Sequence, residues 1–329
     1  MIDAKKEKRD RLPSGWRETV NRKTYSFRKD FRRDWQMHLL LLVPVVYIVV
    51  FNYWPMYGVQ IAFRDFSPRK GITGSEWVGM DWFVKFLGNI NFKKVLTNTV
   101  VLSLESLVIS FPLPIIFALL LNTITNYKLK KFIQNITYIP HFISVVVLVG
   151  MMNQMFSPIN GAYGVLFRLF GGSGYPDDFR SMAYAFRPLY IGSGIWQNLG
   201  WNTIIYVAAL GAVSPEHHEA AMIDGASRWK RIIHVDLPAI MPTICIMFIL
   251  AFGSIMSVGF EKVYLMQSNL NLQTSEVIST YVYKVGMGTS GDLSYASAIG
   301  LFNSVINCSM LLLVNWITRK ASDNEMSMF

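Results

Sequence analysis

The chain has 329 residues, of which 52% are hydrophobic and 16% are charged, and its formal net charge is +10. Soluble domains carry about 45–50% apolar and about 25% charged residues, so this composition argues against a soluble domain and indicates a membrane protein. The positive charge does not require nucleic acid as a partner, because Lys and Arg accumulate in the cytoplasmic segments of membrane proteins.

A basic segment opens the chain. Residues 1–34 hold 12 of the 31 Lys and Arg residues and are interrupted by Pro13 and Gly15. No small-residue cleavage site follows the first apolar run, so this segment is expected to stay attached as a cytoplasmic N-terminal region. It is either a flexible tail or a short amphipathic helix that rests on anionic headgroups.

Six apolar runs follow, each close to the roughly 20 residues that cross about 30 Å of hydrocarbon as a helix. Pro112 and Pro114 predict a kink in the second run. The sequence therefore predicts an all-α integral membrane protein with a six-helix domain at 35–320 and a C-terminal tail at 321–329. The six transmembrane helices are predicted at 37–57, 100–121, 132–156, 188–213, 239–260 and 295–317.

The connecting segments set the orientation, because Lys and Arg are hard to translocate. Segments on the N-terminal side of the membrane hold 20 of the 31 Lys and Arg residues, and the opposite segments hold 11. Both termini and the polar segment at 214–238 are therefore predicted to be cytoplasmic. Three loops are predicted on the opposite side of the membrane: in chain order, a polar loop, a Gly-rich loop and a Ser/Asn/Thr-rich loop.

The segment at 214–238 carries the signals of two short helices. Ser214, Pro215 and Glu216 are typical of a helix start, since Ser caps, Pro suits the first position and Glu complements the dipole. Gly225 suits the left-handed residue that ends a helix. Ser227 is then predicted to cap a second helix that stops at Pro238. We call the two predicted helices the elbow.

The elbow resembles the cytoplasmic signature loop of binding-protein-dependent ABC importer permeases, which reads Glu-Ala-Ala, then Gly four residues later, then Leu-Pro. Glu219, Ala220, Ala221, Gly225, Leu237 and Pro238 match that pattern, and Asp224 and Pro242 agree with it. In that family the loop is a coupling helix that docks into a cleft on the ATPase subunit, in a type I importer fold. The resemblance implies ATPase docking by Glu216, Glu219, Ala220, Ala221, Asp224, Gly225, Arg228 and Trp229.

The resemblance extends along the chain to the carbohydrate permeases that handle oligosaccharides and polysaccharide fragments. The stretches at 52–58, 138–144, 259–263 and 295–303 carry it. It implies a bacterial plasma-membrane importer built from this chain, a second homologous permease, two ATPase subunits and an extracytoplasmic solute-binding lipoprotein.

The absence of certain motifs agrees with an assembly in which another subunit hydrolyses ATP. The sequence contains no Gly-Lys dipeptide, so it has no P-loop, and ATP with Mg²⁺ is expected to bind to the partner ATPase. His217 and His218 are adjacent and point in different directions on a helix, so they do not form a metal-binding pair. The chain is expected to be no enzyme and to hold no cofactor; the two histidines are expected to decorate the elbow.

Polar side chains inside the apolar runs are candidates for a substrate path, because such groups usually face protein or water. Asn303 and Asn307 are four apart and share one helix face. Interhelical hydrogen bonding without a ligand explains each candidate equally well. Glu261 and Lys262 are predicted to form either an interfacial salt bridge or a gate. The path candidates are Glu105, Asn153, Gln154, Tyr206, Asn303 and Asn307, with Trp201 as a further aromatic contact.

Rival functions remain open at this point. A secondary transporter of a polar solute would need coupling-ion carboxylates in the spans, and Glu105 is the clear mid-span acid. An ABC permease for a substrate other than sugar would share the elbow. A membrane-embedded enzyme would need a nucleophile, paired acids or metal ligands that converge from different runs, and no such cluster is evident.

Overall fold

The computed structural model describes residues 34–288 and 291–321. The predicted N-terminal segment and C-terminal tail thus lie almost entirely outside the described residues. The chain divides into two compact units, Met1–Gln60 and Ile61–Phe329. The predicted all-α fold class is confirmed, since the described strands amount to one two-stranded hairpin.

The first apolar run is helical. It comprises α1 (Trp35–Ile48), a π-helical turn at Val49–Tyr53, α2 (Trp54–Met56) and a 3₁₀ segment at Tyr57–Phe63. No residue of α1 is buried, so its apolar side chains are exposed on all faces. A helix that is apolar all round suits a lipid environment.

The first predicted loop contains regular structure. Strands β1 (Arg64–Asp65) and β2 (Glu76–Trp77) pair antiparallel around α3 (Gly71–Gly74), and α4 (Asp81–Leu87) follows. The side chain of Trp82 donates to the carbonyl oxygen of Arg64 at 3.0 Å, which ties α4 to the hairpin.

The second run begins earlier than predicted, at α5 (Ile90–Ser110), and continues as α6 (Pro112–Asn122). Phe111 separates the two helices but keeps a helical backbone (φ −72°, ψ −44°), and 90–122 forms one candidate span, so the kink expected from the two prolines stays a prediction.

The third run was predicted as one span at 132–156, and the structure builds this stretch from two helices that meet at a bend. Helix α7 (Tyr127–Tyr138) and a 3₁₀ turn at Ile139–Phe142 meet α8 (Val145–Met155) at an angle of 97°. Proline at 140 disfavours a continuous helix, and Ser144 caps α8 by accepting from Val147 N at 3.3 Å.

The predicted Gly-rich loop contains α9 (Ala162–Leu169) and a 3₁₀ turn at Phe179–Ser181. Helix α10 (Ala183–Gly211) then runs for 29 residues and begins a few residues before the predicted fourth span. It packs against α5, α6 and α7, so it lies at the centre of the second unit.

The elbow consists of α11 (Pro215–Ile223) and α12 (Arg228–Arg231). The prediction that Pro238 ends the second helix is wrong, because α12 continues through a π-helical turn at Ile232–Asp236 into α13 (Leu237–Gly253). Proline is tolerated there because it occupies the first turn of α13 and the π-turn before it rearranges the backbone bonds.

The fifth run was predicted to reach 260, but α13 ends at Gly253. An irregular stretch separates it from α14 (Phe260–Met266). The backbone N–H of Met256 donates to Asn307 at 2.8 Å instead of to a helical carbonyl, which stabilises the break.

The predicted Ser/Asn/Thr-rich loop contains α15 (Leu272–Ser275) and α16 (Ile278–Met287), and α17 (Leu293–Ala321) is the last helix. Glycine at 286 allows α16 to approach α17 closely, because a Cβ there would lie 2.9 Å from the Cβ of Ala296. The small side chain of Ala296 contributes to this close packing of α16 and α17.

Within the described part of the chain, four helical stretches are long and apolar enough to cross a membrane, or five if the bent α7–α8 pair counts as one. The 29 residues of α10 are not among them, since polar side chains such as Gln197, Asn198 and Asn202 interrupt its apolar sequence. The number of six spans therefore stays a prediction.

Three buried clusters hold the second unit together. The first joins α6, α10 and the start of α13 through Ile115, Ala118, Leu119, Tyr206, Leu210, Ile232 and Ile240. The second joins α4, α5, α16 and α17 through Phe86, Val95, Met256, Ile278, Tyr295 and Ile299. The third joins α5, α10 and α14 through Leu102, Phe186, Ile191, Val258, Val263 and Val277. The elbow thus emerges from the first cluster.

Candidate functional site

The caps of the elbow are formed as predicted. Ser214 accepts from Glu216 N at 3.3 Å, and Ser227 accepts from Lys230 N at 3.4 Å. Gly225 has φ +73°, which is the left-handed conformation expected of it. Its N–H donates to Met222 O, and the next N–H donates to Ala221 O at 2.9 Å, so the free carbonyls of α11 are satisfied. The elbow therefore has a defined turn.

The elbow presents most of its predicted docking residues to solvent. Large apolar side chains are exposed beside them, including Met222, Ile223 and Trp229. An exposed surface that combines apolar and charged groups suits contact with another protein. Of the docking residues, Ala221 is half-buried and the others are exposed: Glu216, Glu219, Ala220, Asp224, Gly225, Arg228 and Trp229.

A buried carboxylate, which the sequence prediction missed, anchors the elbow. Asp236 is 3% exposed; its Oδ1 lies 3.3 Å from His218 Nε2 and accepts from Asn122 Nδ2 at 3.2 Å. The contacts join α11 to the end of α6 and the start of α13. His218 is therefore half-buried and tethered, whereas His217 is exposed, so the expectation that both merely decorate the elbow is wrong for His218. The sequence feature that could have predicted this anchor is the acidic residue Asp236 directly before Leu237 and Pro238, where α13 begins.

A cavity of about 590 Å³ lies between α5, α10 and the irregular stretch after α13. Its wall combines hydroxyl and amide side chains with aromatic ones, which is the set of groups that binds sugars. The polar and aromatic residues of the wall include Ser103, Ser106, Ser110, Gln197, Asn198, Asn202, Tyr190 and Phe260.

The predicted path residues lie outside this wall. Glu105 faces Arg187, with Oε1 3.5 Å from Nη1. Asn153 accepts through its backbone carbonyl from Arg180 at 2.6 Å and lines a separate cavity of about 20 Å³, and Gln154 is exposed. Tyr206 is 3% exposed and belongs to the first buried cluster. The structure does not bring these four together.

Asn303 and Asn307 share one face of α17, as predicted, and both contact the irregular stretch after α13. Asn307 accepts from Met256 N and donates to Ser257 Oγ, each at 2.8 Å, and Asn303 donates to Met256 O at 3.3 Å. Ser257 lines the cavity. The two amides thus hold a cavity wall in place, which is the interhelical role that the sequence left open.

A lysine is among the residues that line the cavity. Lys262 Nζ donates to Tyr190 O at 2.8 Å and lies 4.7 Å from the centroid of the Tyr190 ring. Trp201 stacks on His141 at 4.3 Å, and His141 bonds to the cavity residue Asn198 at 3.0 Å. The aromatic contact expected of Trp201 is therefore to the chain itself.

Metal chemistry has no visible basis in the described part of the chain. Within residues 34–288 and 291–321, no group of three or more His, Cys, Asp or Glu side chains is placed to hold a metal ion.

Comparison with known proteins identifies the family. Residues 94–323 match the family of binding-protein-dependent transport system inner membrane components. The chain is 41% identical over 298 residues to Protein LplB of Bacillus subtilis strain 168, covering 91% of this chain and 93% of LplB. It is 40% identical over 284 residues to the polygalacturonan/rhamnogalacturonan transport system permease protein YteP of the same organism, covering 86% and 88%.

Solved structures agree. A bacterial ABC transporter involved in the import of the acidic polysaccharide alginate matches with a TM-score of 0.81 and 35% identity, covering 89% of this chain and 98% of that one. The same type of transporter in complex with alginate pentasaccharide-bound periplasmic protein matches with a TM-score of 0.82 and 33% identity, covering 92% and 99%. The chain belongs to the binding-protein-dependent permease family and is a membrane component of such a transport system.

Proposed function

We propose that this chain forms one half of the translocation path of an ATP-driven importer for oligosaccharides or polysaccharide fragments. It resides in a bacterial plasma membrane with both termini and the elbow in the cytoplasm. The charge distribution of the connecting segments supports this orientation.

The observation that carries the proposal is the exposed, capped elbow at Pro215–Arg231 in a chain of this family. The substrate class is supported by relatives whose names specify polygalacturonan, rhamnogalacturonan and alginate. The hydroxyl and amide groups of the 590 Å³ cavity suit the hydroxyl groups of a sugar.

The proposal implies several partners. A second homologous permease completes the path, and two ATPase subunits bind and hydrolyse ATP with Mg²⁺. An extracytoplasmic lipoprotein delivers the sugar; the alginate transporter in complex with its periplasmic protein supports that arrangement. The chain itself acts without a cofactor and is not an enzyme.

The mechanism follows from the position of the elbow. Closure of the ATPase pair on ATP moves the docked elbows of the two permeases. Because α12 continues into α13 through one π-turn, the displacement passes directly into a long helix. The other end of α13 adjoins the cavity wall at Ser254, so the cavity opens alternately to the two sides.

Two substitutions in the elbow test the proposal: one reverses a charge, and the other introduces a charged side chain at a glycine. The complete transporter, reconstituted in proteoliposomes with its binding protein, is compared with Glu219→Lys and Gly225→Asp variants. We expect both variants to assemble in the membrane and to lose oligosaccharide uptake and substrate-stimulated ATP hydrolysis.

Glu76→Lys is the matched control, since Glu76 is exposed on β2, away from the elbow. Uptake by this control should equal that of the wild type. Normal transport by the two elbow variants would refute the coupling role.

A further inference from the structure

The lysine in the cavity has more hydrogen-bonding capacity than the protein uses. Lys262 is 8% exposed, and its ammonium group carries three N–H donors. One donates to Tyr190 O at 2.8 Å, and the ring of Tyr190 gives a cation–π contact at 4.7 Å. Further donors are therefore available to a group inside the cavity.

The charge of Lys262 is also uncompensated. Among the described residues, no carboxylate oxygen lies within 4.0 Å of its Nζ, although Glu261 lines the same cavity. A buried ion without a partner is costly, so such a group is usually paired or serves a function. By contrast, two half-buried lysines elsewhere in the second unit are paired: Lys94 and Lys284 both bond to the buried Glu276.

Two glycines lie beside the ammonium group and the Tyr190 ring. A Cβ at Gly194 would lie 3.3 Å from Lys262 Nζ, and one at Gly259 would lie 3.3 Å from the hydroxyl oxygen of Tyr190. Side chains at these two positions would crowd the ammonium group and the ring beside it. Glycine leaves this space for a ligand.

Two hydroxyl groups in the same wall also lack partners. The Oγ atoms of Ser103 and Ser106 are buried and make no hydrogen bond within the described residues. Buried polar atoms of this kind are normally satisfied, so these two hydroxyl groups call for a partner that the described residues do not provide.

We propose that Lys262, with Ser103 and Ser106 in the same wall, forms a binding site for the carboxylate of an acidic oligosaccharide that passes through the cavity. This inference rests on the proposed function, because it names the class of sugar that the path accepts. Lysine donates to one carboxylate oxygen as a compact point charge, and the serine hydroxyls bond to the ring hydroxyls.

A competing explanation is that a carboxylate of the second permease pairs with Lys262. Such an interfacial pair would serve assembly and would act equally on acidic and neutral sugars. The experiment must therefore separate an effect that depends on the charge of the sugar from an effect on assembly of the two permeases.

The test uses the complete transporter in proteoliposomes and measures ATP hydrolysis stimulated by sugar-loaded binding protein. The probes are tetrasaccharides prepared from polygalacturonan, rhamnogalacturonan and alginate, each paired with its carboxyl-reduced neutral form. The readout is the ratio of acidic to neutral stimulation. We expect Lys262→Gln to lower this ratio about 10-fold or more, as expected for the loss of a charge-assisted hydrogen bond, and Lys262→Arg to preserve most of it.

A pH series adds a readout that an assembly role would not change. Lys262 lies between two candidate spans, 228–253 and 293–320, and burial lowers its pKa to about 8. The other titratable residues of the wall are Tyr190 and Glu261. The acidic-to-neutral ratio of the wild type should fall between pH 7 and 9 as Lys262 loses its proton, and that of Lys262→Arg should not.

Lys85→Gln is the matched control, since it removes an exposed lysine that pairs with Asp292 outside the cavity. Its ratio should equal that of the wild type. Equal loss with both sugars, loss of copurification with the second permease, or an unchanged ratio in Lys262→Gln would overturn the inference. Stimulation by neutral sugars alone would also overturn it. Failure of every sugar in the wild type would instead refute oligosaccharide import.

Discussion

His218 Nε2 lies 3.3 Å from the buried Oδ1 of Asp236, and this contact joins the first helix of the elbow to the start of α13. The same oxygen accepts from Asn122 at the end of α6. Three elements at this end of the fold therefore meet at one carboxylate. A force applied to the elbow has two routes into the membrane domain, the covalent one through α12 and this contact.

Replacing the carboxylate tests the second route. Asp236→Ala leaves the donors of Asn122 and His218 without an acceptor, so the free energy of unfolding should fall by about 1–3 kcal/mol. Thermal unfolding of the purified complex measures this loss, and substrate-stimulated ATP hydrolysis should fall with it. His217→Ala changes the exposed neighbour and should shift stability by less than about 0.5 kcal/mol. Equal effects of the two substitutions would contradict a tether at Asp236.

The turn of the elbow depends on Gly225. Its φ of +73° is unfavourable for residues with a Cβ, so Gly225→Ala should destabilise the turn by about 1–2 kcal/mol although no atom lies within 4 Å of the added methyl group. Gly225→Asn should be milder, since Asn tolerates this conformation. Hydrogen exchange at the amides after α11 measures the local loss.

Gly211→Ala provides the control for that experiment. Gly211 ends α10 in a helical conformation, and a methyl group there also meets no atom within 4 Å. Its exchange pattern in the elbow should match that of the wild type. A similar increase in both variants would show that the conformation at Gly225 is not the cause.

Local chemistry made the elbow predictable from sequence. Ser214, Ser227 and Gly225 act on backbone groups within a few residues, so their roles depend little on the rest of the fold. The shared face of Asn303 and Asn307 follows from helical periodicity alone.

Contacts between residues that are distant in the sequence could not be predicted, because no local sequence pattern specifies them. Asp236 and Asn122 are 114 positions apart in the sequence and form a hydrogen bond. The ion pair of Lys94 with the buried Glu276 joins α5 to a segment that was predicted to be a loop. Hydrophobicity does not reveal the 97° bend of the third run, since its two helices taken together are apolar enough to count as one span. Tyr206 is an aromatic residue within an apolar run, and the sequence alone does not separate a ring that contacts sugar from one that packs in the first buried cluster.

Two glycines of α10 have different surroundings: one packs closely against a neighbouring helix, and the other faces open space. A Cβ at Gly200 would overlap the backbone carbonyl of Thr137, whereas a Cβ at Gly192 meets nothing within 4 Å. Gly200→Ala should therefore force α7 away from α10 and cost about 1–3 kcal/mol. Gly192→Ala should be neutral or slightly stabilising, since Ala favours the helix. Thermal unfolding of both variants compares them directly, and equal melting temperatures would contradict the close approach of α7.

The pairing of Glu276 with two lysines predicts a stability that depends on pH. Lys94 and Lys284 lie 2.6 and 3.0 Å from the carboxylate. Burial by itself raises the pKa of Glu276, but the hydrogen bonds from Lys94 and Lys284 outweigh it, so the pKa is lowered. A carboxyl group whose pKa is lower in the folded state than in the unfolded state stabilises the fold. This stabilisation is present above the unfolded-state pKa of about 4.3 and is lost as pH falls through the folded-state pKa.

Glu276→Gln should therefore lower the free energy of unfolding at pH 7 by about 1–3 kcal/mol, because two lysines lose their charged acceptor. The difference from the wild type should shrink as pH falls below about 4, where protonation removes the same charge from the wild type. Thermal unfolding at pH 7 and pH 4 measures both effects. Glu76→Gln, at an exposed glutamate without an ion pair among the described residues, is the control. A destabilisation by Glu276→Gln that is the same at both pH values would place its cause in packing rather than in charge.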